Sequence, residues 1–114
     1  MIKIEFGLKL KKSNRPPQVE NLLRKIHECI SEGNYTETIH SVTRGKQRLI
    51  NLPQTLYVLR NGWHEKQKTT FDESFNTWKY AIRGKTVDGI DVRVVLAFDE
   101  NNMVIITVID VGTI

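Results

Sequence analysis

The 114 residues of this chain supply one domain's worth of core, and its lone cysteine, Cys29, cannot close an internal disulfide. Hydrophobic residues make up 39% and charged residues 26%, the balance of an ordinary globular protein rather than a disordered one. Seventeen basic against thirteen acidic side chains give a formal charge of +4, which favours a polyanionic or an acidic partner.

Ile2, Ile4, Phe6, Leu8 and Leu10 alternate with polar neighbours at the period of a half-buried strand. Residues 1–15 are therefore expected to form an N-terminal extension, either an edge strand or a flexible segment, ahead of a single domain at 16–114. No apolar run approaches membrane-spanning length, and this alternation is not the continuous stretch of a secretory signal. The cytoplasm is the expected compartment, with no membrane partner.

Val19, Leu22, Leu23, Ile26 and Ile30 recur at helical spacing, so a first helix is predicted over Pro17 to Ser31, stopped by Gly33-Asn34. His27 falls along that stripe and reads as a packed histidine; Cys29 reads as a buried or half-buried thiol. A second helix starts after Thr36 or Thr38, whose hydroxyls can cap it, and fades near Gly45 to Leu49. A third follows the Asn51-Leu52-Pro53 start signal, carries Leu52, Leu56 and Leu59, and ends at Asn61-Gly62.

From Trp63 the period changes to two. Strands are predicted over Trp63 to Thr70 and Thr77 to Thr86, with a turn between them at Phe71 to Asn76. Val87-Asp88-Gly89 makes a tight hairpin into a strand carrying Val92, Val94, Leu96 and Phe98. The apolar run from Met103 to Val111 should be the central strand, with Val104, Ile106 and Val108 in its buried centre and Thr107 a core threonine. Helices first and strands after imply an α+β fold, its N-terminal helices packed on one face of an antiparallel sheet of three to five strands.

His40, Arg44 and Arg48 recur four residues apart on the second helix, which sets an imidazole beside two guanidiniums. That is a phosphate-handling combination, since histidine gives and takes protons near neutrality and the guanidinium fork suits phosphate oxygens. His40, Arg48 and Tyr80 are the candidate catalytic residues, with Arg44, Arg83, Lys85 and Arg93 as candidate nucleic-acid contacts. The pleat puts Tyr80 on one face of its strand and Arg83 and Lys85 on the other, so this set cannot all converge, and a buried, hydrogen-bonded tyrosine is the commoner fate. His64 and Glu65 read with Lys66 and Lys68 as an exposed strand face; no spacing suggests a metal site or a cofactor.

The runs IHSVTRGKQRLINLPQTLYVLRNG and WKYAIRGKTVDGIDVRVVLAFDENNMVIITVIDV resemble a family of small bacterial domains related to RelE/ParE/BrnT-type toxins. The shared pattern is HxxxRxxxR, a short helix ending in NG, a YxxxG strand and a terminal IITV strand, covering about Tyr35 to Val111. The resemblance implies a RelE-like fold and a toxin-like, metal-independent endoribonuclease of a toxin-antitoxin system, acting on RNA or the ribosome and neutralised by an acidic antitoxin protein. A non-catalytic RNA- or protein-binding module of the same fold is the alternative. Gln47 stands where such domains often carry glutamate, removing a carboxylate that would orient a basic neighbour.

Overall fold

A computed structural model describes residues 15–112; the strand expected at the N-terminus lies outside them. The elements are α1 (Leu22–Glu32), β1 (Tyr35–Glu37), α2 (Ile39–Arg48), α3 (Leu52–Asn61), β2 (Trp63–His64), a 3-10 turn (Lys66–Lys68), β3 (Thr70–Asp72), β4 (Thr77–Lys85), β5 (Asp91–Asp99) and β6 (Asn102–Asp110). The class is α+β as expected, but among the described residues the sheet has six strands rather than three to five. Its order is β1-β6-β5-β4-β2, with β3 also on β4, and β1 runs parallel to β6 while all other pairs are antiparallel. β6 is therefore interior, and the middle position falls to β5.

Helices α1 and α3 cover one face. Leu22, Ile26 and Ile30 of α1 and Leu56, Val58 and Leu59 of α3 close on Ile82, Val92, Val94, Leu96, Met103, Ile105 and Val108, the inward residues of three neighbouring strands. α3 begins with a reciprocal capping box, in which Asn51 Oδ1 accepts from the Gln54 amide and Gln54 Oε1 accepts from the Asn51 amide. Its end lies so close to β4 that a Cβ on Gly62 would stand 2.4 Å from the Arg83 carbonyl oxygen. Only glycine permits that approach.

Three local expectations change. α1 starts at Leu22, not Pro17, because the preceding residues are held against the sheet: Trp78 Nε1 donates to the Pro16 carbonyl and the Val19 amide donates to the Tyr80 hydroxyl. His27, placed on the apolar stripe by spacing, is exposed, whereas Cys29 is buried. In β6 the register slips between Val95 and Leu96, which pair with Thr107 and Ile105, so Ile106 is an extra residue. The bulge restarts the alternation. Met103, Ile105 and Val108 are buried, while Val104, Ile106 and Thr107 are only half-buried. Val95, Thr107's partner in register, likewise alternates with the buried Val94 and Leu96, which puts Thr107 on the face opposite α1 and α3.

The strand expected from Trp63 to Thr70 is broken. β2 pairs with Arg83 and Ile82, β3 pairs with Lys79, Trp78 and Thr77, and the 3-10 turn intervenes. The ladder is carried across the break by the Glu65 amide, which donates to the Ala81 carbonyl, and by the Thr69 hydroxyl, which accepts from the Ala81 amide. α2 lies beside β6: the Thr38 amide donates to the Ile105 carbonyl, and its hydroxyl donates to Ile106 while capping the helix through the Ser41 amide.

Candidate functional site

α2 forms where the His40, Arg44, Arg48 spacing requires it. Each four-residue step overshoots a full turn by about 40°, so the stripe winds around the helix instead of keeping to one line. The burial follows this winding. His40 and Arg44 are exposed, whereas Arg48 is half-buried, next to the inward face carrying Ser41 and Gly45. Arg44 Nη1 makes a long contact of 3.5 Å to Gln47 Oε1, and the buried Arg48 Nη1 has no partner among the described residues. The helix contains no acidic residue, and Arg44, Lys46 and Arg48 join no ion pair among the described residues.

A second polar constellation occupies the sheet face opposite α1 and α3. Arg83 of β4 and Arg93 of β5 are directly opposite in register, an arrangement that repels unless it is neutralised. Glu65 does this. Its carboxylate accepts from Arg93 Nε at 2.6 Å and Nη2 at 3.1 Å, and from Arg83 Nη1 at 2.9 Å. Asp91 takes the other side of Arg83 as a fork, at 2.7 Å from Nε and 2.8 Å from Nη2. Hydrogen bonds from Arg93, then Arg83, hold the Glu65 carboxyl below the usual carboxylate range, and Arg83 does the same for Asp91. The Asp91 fork raises the Arg83 pKa further. Lys85, opposite Asp91 in register, is exposed at the end of β4.

Tyr80 points the other way. Its ring is 3% exposed, lies 6.0 Å from His64 and 5.9 Å from Phe98, and its hydroxyl accepts from the Val19 amide at 2.8 Å. Burial pushes its pKa up. His64 is on the same inner side, bonded through Nε2 to the Thr69 hydroxyl at 2.8 Å; burial and then the Lys66 charge hold its pKa down.

The fold thus brings Arg83, Arg93 and Lys85 to one sheet face, leaves His40 and Arg44 on α2, and puts Tyr80 on the core side. Glu65, expected on an exposed strand, is buried and is the centre of the ionic network. A signal for it was present. Arg83 and Arg93 are each five residues from Asp88, at the hairpin turn, so the hairpin sets them face to face and calls for a carboxylate. Among the described residues no group of His, Cys, Asp and Glu is arranged to hold a metal ion, and no helix is long and apolar enough to cross a membrane.

This arrangement defines a small α+β domain with a basic helix and an ionic patch on an open sheet face. The chain belongs to the DUF4258 family, described as a domain of unknown function, which matches residues 23–110 and takes in α1 as well as the segment from Tyr35. No curated protein matches the chain.

Proposed function

We propose that this domain acts on RNA as a toxin-like, metal-independent endoribonuclease, RelE-like in fold, with ribosome-bound mRNA as its substrate and an acidic antitoxin as its cellular inhibitor. The observation that carries this reading is α2, an exposed helix with four basic or imidazole side chains, no acid, and no ion pair on its cations among the described residues. Unpaired cations on one helix are what a phosphate backbone needs. His40 takes the proton of the 2′-hydroxyl as that oxygen bonds to phosphorus and, once protonated, gives it to the 5′-oxygen that departs; Arg44 and Arg48 hold the phosphate, and Arg83, Lys85 and Arg93 meet the strand farther on. Tyr80 serves the architecture in this reading, since its hydroxyl is held by Val19.

The non-catalytic alternative, an RNA- or protein-binding module, is favoured by a different observation. His40 makes no hydrogen bond among the described residues, so nothing fixes its tautomer as a proton-transfer pair would. Induced expression of wild type and His40→Ala, with cellular RNA ends mapped, separates the two. The nuclease produces new ends with wild type and not with His40→Ala; no new ends from either protein leave the binding module.

A further inference from the structure

The geometry points to a second RNA-contacting site on the sheet face opposite α1 and α3, where Trp63 stacks a base of a single strand and the Arg83–Arg93 pair takes its phosphate. The inference rests on the RNA reading above and adds a site on another element. Trp63 pairs with Arg83 in register, while the next residue, His64, pairs with Ile82 and contacts Tyr80 in the core. Directly paired residues share a face, so the indole stands on the open side beside Arg83.

Trp63 is 55% exposed, and among the described residues its ring makes no ring–ring or cation–ring contact. An aromatic face open to solvent next to guanidiniums is the combination that binds unpaired bases without sequence preference. The carboxylates do not remove the arginines from use. Of its five N–H donors Arg93 commits Nε and Nη2 to Glu65, which leaves Nη1 without a partner among the described residues. Arg83 is fixed by Asp91 and Glu65 together. The guanidiniums are therefore already ordered before a phosphate arrives, which lowers the entropy lost on binding. Lys85 is exposed at the end of β4, two residues from Arg83, and joins no ion pair among the described residues, so a cation borders the neutralised centre. A single-stranded nucleic acid fits this pattern, because a base stacks on the flat indole while the phosphate beside it meets the guanidiniums.

The test is titration of the purified protein with a twelve-nucleotide oligouridylate and, separately, with inorganic polyphosphate, following tryptophan fluorescence and affinity. Wild type should be quenched by the RNA but not by polyphosphate. Trp63→Phe, which leaves Trp78 as the fluorophore, should lose the quenching while keeping part of the affinity. Trp63→Ala should bind RNA about tenfold more weakly and polyphosphate unchanged. Circular dichroism checks that each variant is folded. RNA binding that is unquenched and indifferent to Trp63→Ala overturns the stacking site and leaves α2 as the contact. Absence of RNA binding by every protein overturns both this site and the RNA reading.

Discussion

Arg83 and Arg93 face each other across β4 and β5, and both guanidiniums are bonded by the one carboxylate of Glu65. Removing that charge leaves two ordered cations side by side. Glu65→Gln is therefore expected to lower the urea midpoint, and Glu65→Gln/Arg93→Gln to regain part of the loss because the like-charge contact goes with it. Equal midpoints for wild type and Glu65→Gln would show the network to be without energetic weight.

Acid should destabilise the fold. The folded protein holds Glu65 and Asp91 below the usual carboxylate range, so as pH falls the unfolded chain takes up protons first and stability drops. Their contribution is complete above about pH 5 and is lost as pH falls through the depressed values. His64 acts in the same direction at higher pH. Its pKa is lowered below 6.5 in the fold, so the unfolded chain binds its proton first and a further loss begins near that value. Denaturant midpoints at pH 8, 6 and 4 should fall in that order; a midpoint that rises on acidification contradicts the assignment.

The bulge in β6 gives a comparison between two identical neighbours. Ile105 has no exposed surface, whereas Ile106 is the extra residue and is half-buried. Ile105→Ala should cost about 2–5 kcal/mol and Ile106→Ala about 1 kcal/mol or less by chemical denaturation. A larger cost at Ile106 than at Ile105 would mean that the alternation from Val108 is unbroken.

Gly62→Ala addresses the contact that sets α3 on the sheet. The added methyl would meet the carbonyl oxygens of Arg83 and Val58, at 2.4 Å and 2.7 Å, and backbone cannot move aside as a side chain does. A loss of about 1–3 kcal/mol is expected. A wild-type melting temperature would mean that helix and strand are farther apart.

The large elements were legible because each repeats a simple signal. α3 carries its capping box and its glycine stop in the sequence, and β4, the turn at Gly89 and β5 follow from alternation around Asp88-Gly89. β1 was not legible, since three residues are too few to show a period; it exists because Met103 to Ile105 offer a free edge. The bulge at Ile106 was hidden for a related reason. A run apolar on both faces reads the same in either register, so Val104 and Ile106 looked as central as Val108. In the site, spacing gave the helical placement of His40, Arg44 and Arg48 but not their winding toward the core. Glu65 was missed because HEKQK is a polar run, and the break in the strand that turns its carboxylate onto the two arginines is a tertiary event.

The central claim, that the domain acts on RNA through α2, is tested most directly by the salt dependence of RNA affinity for the purified protein and its Arg44→Gln variant. Counterion release predicts that the logarithm of affinity falls linearly with the logarithm of salt, and that Arg44→Gln binds more weakly with a slope smaller by about one unit. His40→Ala should leave both affinity and slope close to wild type, since His40 serves proton transfer in this reading and Arg44 and Arg48 hold the phosphate. RNA affinity that ignores salt between low and physiological ionic strength, or no binding by the protein alone or with ribosomes, would contradict the claim and make an acidic protein the partner of α2.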